Sequence, residues 1–255
     1  MRLIYSGKKV LVTGGSSEIG LCLADLLIKE GLFPVLTWKN EAGKNKIKQA
    51  LEKSSGLFET AWFDFSDPDS INDLFKESKT DPDYLVDLAH TDYESLVASA
   101  SNEKIESYFA LNITARAKLV RAASRSMLKK RFGRLIFISS AAADCPAAGQ
   151  GFYAASKLGC EAVYKSCGLE LCSRGVTSLS IRPGYVDAGR GRAFFDGQQA
   201  QKTGHGKKVT SNSFCPVMIS LEELCETILF FLSDSARAFN GVSITMDHGL
   251  SSKKR

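Results

Sequence analysis

Seven short apolar runs, alternating with segments of helical periodicity, constrain this chain more than any other feature. The runs are Lys9–Thr13, Phe33–Thr37, Thr60–Phe65, Tyr84–Ala89, Arg134–Ser140, Thr177–Arg182 and Val242–Met246. Between them, Ile19–Glu30 carries Leu23, Leu26 and Leu27 on one face and ends at Gly31. Lys44–Lys53, Asn102–Arg131, Phe152–Ser173 and Leu221–Leu232 also read as helices, and Ser66-Asp67-Pro68 is a helix-start signal. Such alternation predicts an α/β protein with a doubly wound sheet of about seven parallel strands, covered by helices on both faces. Neither an internal repeat nor a linker interrupts it, so residues 1–255 are expected to form a single domain. A hydrophobic content of 44% over 255 residues is enough for one sizeable core.

Charge and chemistry-bearing residues exclude several classes. A net charge of +5 is too modest to indicate a nucleic-acid partner. Seven cysteines occur without a Cys-x-x-Cys pair, and the three histidines have no ligand spacing, so neither a disulfide framework nor a metal site is expected. Lysines interrupt the N-terminal Met-Arg-Leu-Ile-Tyr-Ser-Gly-Lys-Lys before a signal-peptide core forms. No run approaches the ~20 apolar residues of a membrane helix. The expectation is a cytoplasmic protein with no membrane partner. The stretch Ala188–Cys215 breaks the alternation with five glycines among polar residues. It follows the sixth strand, at the carboxyl edge where open α/β sheets bind ligands, and predicts a substrate lid loop over 188–218.

Two motifs carry chemistry. Thr13-Gly14-Gly15-Ser16-Ser17-Glu18-Ile19-Gly20 joins the first strand to the first helix. Glycines permit the sharp turn, and the helix N-terminus then offers N–H groups to a pyrophosphate. Tyr153-Ala-Ala-Ser-Lys157 opens a later helix with phenol and ammonium on one face. A phenol with pKa ~10 is a poor acid or base at neutral pH, and a nearby ammonium is expected to lower that value. It could then donate a proton to a carbonyl oxygen. Ser140, 13 residues earlier at a strand end, could orient that oxygen.

These residues resemble the short-chain dehydrogenase/reductase family, and the likeness runs through nearly the whole chain. It implies a Rossmann-like fold and a nicotinamide cofactor held by Thr13, Gly14, Ser16, Ser17, Ile19 and Gly20. Asn112, 41 residues before Tyr153, completes the resemblance to the family's Asn-Ser-Tyr-Lys tetrad. By that likeness Asn112 holds a water that relays protons to Lys157, and Lys157 also binds the nicotinamide ribose. Asp64 and Phe65 would flank the adenine, Ala89 the adenosine ribose, and the Pro183-Gly184 turn with Val186 the carboxamide. The second strand ends in Thr37-Trp38-Lys39-Asn40, with a lysine and no acid, which favours the 2′-phosphate of NADP(H) over NAD(H). Departures from the family pattern are Glu18 for a glycine, Asp87 and His90 in the segment after strand four, and Ala188 for a threonine. Glu18 would repel a pyrophosphate unless it turns away, and His90 is expected to be a packed histidine.

From Ser107 to Ala143 there is no acid but there are eight basic residues, among them Arg116, Lys118, Arg121, Arg125, Lys129 and Arg134. Lys118, Arg121, Arg125 and Lys129 share one helical face by spacing, which is either a solvated face or a docking patch for an acidic partner. Within the family, the runs around Arg131 and Arg174 resemble the arginine-bearing segments of bacterial 3-oxoacyl-[acyl-carrier-protein] reductases. That likeness implies acyl carrier protein as partner, a 3-oxoacyl ketone as the small-molecule carbonyl substrate, and a homotetramer or homodimer. Two alternatives stay open: a dehydrogenase of a small alcohol, sugar or steroid, and a cofactor-binding scaffold with little turnover.

Overall fold

The computed structural model describes residues 2–76, 80–203 and 217–253. Seven strands form one sheet: β1 (Lys9–Thr13), β2 (Phe33–Trp38), β3 (Glu59–Trp62), β4 (Tyr84–Asp87), β5 (Gly133–Ile138), β6 (Val176–Pro183) and β7 (Val242–Met246). Their order is β3-β2-β1-β4-β5-β6-β7 and every pairing is parallel. The chain works outward from β1 to β3, returns to lay β4 beside β1, and then works outward the other way. That reversal opens a crevice at the carboxyl ends of β1 and β4.

Two helix layers cover the sheet. On one face, α1 (Glu18–Lys29), α2 (Glu41–Ala50) and α8 (Leu221–Leu232) pack over Val10, Val12 and Val86. On the other, α3 (Ser70–Phe75), α5 (Ala115–Lys130) and α6 (Gly151–Leu171) pack over Leu11, Leu85, Leu135 and Phe137. Alternate strand residues thus feed opposite cores, as the period of two requires. Local signals set the helix ends: Ser17 caps α1 by accepting from Gly20 N, and Ser220 with Glu223 forms a capping box on α8. Leu23 and Leu27 of α1 are wholly buried, each contributing about 1.5–3 kcal/mol.

The helix expected over Asn102–Arg131 is α4 (Asn102–Phe109) joined to α5 through one π-turn, Ala110–Thr114. Asn112 sits in that turn. The expected lid loop is corrected in its first half: Gly189–Thr203 is a helix, α7. The glycine content concealed it, and residues 204–216 lie outside the described part. Among the described residues no helix is long and apolar enough to cross a membrane.

Candidate active site

The cleft at the strand reversal encloses about 650 Å³, within the usual range for ligand sites. Gly14, Ser16, Ser17 and Ile19 line one end of it. This turn could not carry side chains at its glycines. Gly14 has φ +67°, and a Cβ there would approach the Ala89 backbone to 3.1 Å; a Cβ on Gly15 would meet Leu36 Cβ at 2.8 Å. The packing brings the first turn of α1 against the cleft, as a close-approaching pyrophosphate requires. Thr37 serves the same turn, its Oγ1 accepting from Gly14 N at 3.1 Å. Lys39, Asp64 and Phe65 follow along the wall, with Lys39 Nζ 3.1 Å from Asp64 Oδ2. Lys46 of α2 lines the cleft as well, a contributor that sequence reasoning missed.

At the other end stand Ser140, Tyr153 and Lys157, with Ala89, Pro183, Gly184 and Val186 on the walls. One buried carboxylate aligns their supports. Glu161, one turn beyond Lys157 on α6, accepts from Ser139 Oγ at 2.5 Å, from Ser243 Oγ at 2.8 Å, and from both Arg182 Nε and Nη2. It ties the helix bearing Tyr153 and Lys157 to the strand ends bearing Ser140 and Pro183. The Tyr153 phenol hydrogen-bonds the Ser140 hydroxyl. Lys157 Nζ donates to Ile138 O at 2.8 Å. In the protein alone, without the nicotinamide charge on which the expected lowering also rests, burial raises the Tyr153 pKa despite Ser140 and Arg190, so the phenol holds its proton. The cation near it yields instead, burial with Arg116 pushing Lys157 down to about 7.

Thr13, Gly20 and Asn112 stand behind the cleft wall, all buried. Thr13 Oγ1 donates to Asp87 Oδ1 at 2.6 Å and accepts from the Leu88 and Ala89 N–H groups, holding that wall. The Asn112 side chain is satisfied by the backbone of Thr91 and by Tyr108 O. Its own carbonyl accepts from Arg116 Nη1 at 2.6 Å and Cys160 Sγ at 3.0 Å. The carbonyl thus links α5 and α6 at this turn.

The departures from the family pattern find partners. Glu18 meets Arg192 Nη2 at 3.4 Å, so a cation of α7 offsets its charge at the cleft. Arg190, also on α7, pairs with Asp92 and Glu94 and lies with its guanidinium carbon 4.8 Å from the Tyr153 ring centroid. His90 is more than a packed histidine: it lines the cleft, with its ring edge-on to Tyr153 at 5.0 Å. Its tautomer follows from counting hydrogens. Ser156 Oγ donates to Tyr153 O, so it accepts from Tyr108, whose oxygen then accepts from His90 Nε2–H. Nδ1 is left as a buried acceptor without a partner, and burial together with Lys157, Arg116 and Arg190 keeps the ring neutral.

The basic stretch divides. Lys118, Arg121, Arg125 and Lys129 are exposed on α5, and Lys130 pairs with Asp83 at 2.7 Å. Arg116 and Arg134, which belong to the same acid-free stretch but not to that face, are core residues. Arg131, the left-handed C-cap of α5, is exposed, as is Arg174, and the Gly133 N–Gly175 O bond brings their segments together.

The family model for short chain dehydrogenase matches residues 8–199. The 3-oxoacyl-[acyl-carrier-protein] reductase FabG of Haemophilus influenzae is 30% identical over 248 residues, covering 96% of this chain and 98% of that protein. FabG of Escherichia coli is 29% identical over 250 residues, with the same coverage. The reductase MabA of Mycobacterium tuberculosis is 28% identical over 251 residues, covering 96% and 94%. A solved short chain dehydrogenase/reductase family protein superposes with a TM-score of 0.79 at 25% identity, over 99% of this chain and all of that one. With the matched model spanning most of the chain and the glycine turn, sheet order and Tyr153–Lys157 helix in place, this protein belongs to the short-chain dehydrogenase/reductase family of oxidoreductases.

Proposed function

We propose that the chain is a cytoplasmic ketoreductase that uses NADPH to convert the ketone of a 3-oxoacyl chain, carried on an acyl carrier protein, to a secondary alcohol. The observation carrying the reading is the convergence of Ser140, Tyr153 and Lys157 on one end of the cleft whose other end is the glycine turn, and burial favours the proton-bearing form of the Tyr153 phenol there. Ser140 orients the carbonyl oxygen, and Tyr153 gives that oxygen its phenolic proton as the carbonyl carbon is reduced. Lys157 restores the proton to Tyr153. When bound, the cofactor supplies the hydride. Ser16, Ser17 and Ile19 would hold its pyrophosphate, Asp64 and Phe65 its adenine, Ala89 its adenosine ribose, Lys157 its other ribose and Val186 its carboxamide. The names of the FabG and MabA relatives support the substrate class.

Lys39 and Lys46 support NADPH, since only that cofactor offers a 2′-phosphate to two ammonium groups at this end of the cleft. The phosphate competes with Asp64 for Lys39. Lys39→Ala is expected to weaken NADPH binding about 10-fold, the scale of one charge-assisted hydrogen bond, and to leave NADH unchanged. Fluorescence titration reads both. Equal losses for the two cofactors would assign the phosphate elsewhere.

Arg131 and Arg174 support the carrier protein, and their location brings an oligomer with it. They lie at the amino-terminal ends of β5 and β6, whereas Ser140 follows the carboxyl end of β5. A carrier docked on them reaches a cleft across a subunit boundary, in a homodimer or homotetramer. Replacing both by Glu should raise KM for the carrier-bound substrate and spare a short free thioester of the same acyl group. Salt should erode the wild-type preference for the carrier-bound form, because exposed charges are screened over ~10 Å at 0.1 M. A charge reversal that slows both substrates equally removes the carrier protein from the reading.

A further inference from the structure

Arg116 is 1% exposed and sits on the buried face of α5, ahead of Leu119, Val120, Ala123 and Met127 at i+3, i+4, i+7 and i+11. Every nitrogen of its fork is engaged. Nε donates to Asp87 Oδ2 at 2.6 Å, Nη1 to Asn112 O at 2.6 Å, and Nη2 to Ala89 O. Asp87, wholly buried, also accepts from Tyr164 and Thr13. The guanidinium lies between two rings, 5.0 Å from the centroid of Phe65 and 5.2 Å from that of Phe137. Lys157 Nζ is 4.9 Å from the same Phe137 ring. Two buried cations therefore share one aromatic ring, with a single carboxylate between the cofactor turn and the helix of Tyr153.

We propose that Arg116 is a positioning residue of the active site: it joins the cofactor-side wall at Ala89 to Asn112 and Asp87 and stands as a fixed cation behind Lys157. The inference rests on Lys157 serving Tyr153 as described above. It gives Asp87 and Arg116 one meaning, a charge pair buried beneath the cleft. With the Asn112 carbonyl engaged, the Lys157 ammonium faces Arg116 from α5, Asp87 from β4, His90 from the following loop, Cys160 and Tyr153 from its own helix, and Arg190 from α7. Among these charges Arg116 acts most strongly and opposes a second positive charge, while Asp87 favours it. A lysine so held exchanges its proton near neutral pH, where a turnover cycle needs it.

The test is the titration midpoint of Lys157, followed by NMR on protein with 13C-labelled lysine and assigned by its loss in Lys157→Arg. The wild type should titrate near 7. Replacing the pair together, Asp87→Asn with Arg116→Met, should raise the midpoint by about half to one pH unit, since the stronger of two opposed charge effects is removed. The fall of kcat with rising pH on a short 3-oxoacyl thioester should move with it. Arg116→Lys, which keeps the cation, should leave the midpoint in place. A purely structural residue would lower the folded fraction without moving Lys157. An unmoved midpoint in the paired variant, or a shift in Arg116→Lys, overturns the inference. So does a wild-type midpoint near the ordinary 10.4, which needs no variant to fold. The titration is independent of turnover, so an inactive thioester would count against the ketoreductase reading alone.

Discussion

Tyr153→Phe is expected to reduce kcat by at least ~10²-fold, the scale of positioned general acid catalysis. The substitution removes only the hydroxyl. The ring that faces His90 at 5.0 Å and underlies the Arg190 guanidinium at 4.8 Å remains. NADPH affinity should therefore stay within about threefold, and the loss should fall on kcat. Burial strengthens the expectation, because it raises the Tyr153 pKa and leaves the phenol as an acid across neutral pH. Single-turnover measurement with a 3-oxoacyl thioester separates chemistry from product release. Near-normal turnover would strip Tyr153 of its role. A wild type that binds NADPH but turns over no carbonyl substrate would favour the scaffold alternative.

The alternation of apolar runs and helices carried the sheet, its parallel sense and both helix layers, because backbone period and burial are written locally. Spacing also carried the meeting of Ser140, Tyr153 and Lys157, since i,i+4 on a helix and the end of a strand are local facts. The pairing of Arg116 was illegible for the opposite reason. A buried charge is the exception, and its partner Asp87 lies 29 residues earlier on another element. Helical spacing to Leu119, Val120, Ala123 and Met127 puts it on the buried face of α5 but does not say which charge it meets there. Helix α7 was hidden by Gly189 and Gly191, although Arg190 and Arg192 anchor it through Asp92, Glu94 and Glu18, residues far off in sequence. The rise of the Tyr153 pKa in the protein alone was not legible, because sequence does not reveal the burial that outweighs Ser140 and Arg190.

Asp87→Ala is expected to lower stability by about 3–5 kcal/mol, the range for breaking a buried ion pair on one side. Three donors converge on this carboxylate: Arg116 Nε, the Tyr164 hydroxyl at 2.9 Å and the Thr13 hydroxyl at 2.6 Å. Its loss leaves the guanidinium in a dry interior with only two backbone carbonyls as oxygen acceptors, and leaves the protons of two hydroxyls without their acceptor. Replacing the pair together is a different perturbation. Asp87→Asn with Arg116→Met removes both charges at similar volume, retains an acceptor oxygen for Thr13 while its amide NH2 can donate to the Tyr164 oxygen, and should fall within about 1–2 kcal/mol of the wild type, since neutral replacement of a buried pair is well tolerated. Urea denaturation of the wild type, the two single variants and the double variant closes the cycle, and a coupling of about 2 kcal/mol or more is expected. All four proteins need the same concentration, because an oligomer would make stability depend on it. Strictly additive losses would mean that the two charges are held by their other partners rather than by each other. NADPH affinity should fall in Asp87→Ala as well: with the Thr13 hydroxyl no longer held by Asp87, its grip on the N–H groups of Leu88 and Ala89 loosens, and that backbone is a wall of the cofactor cleft.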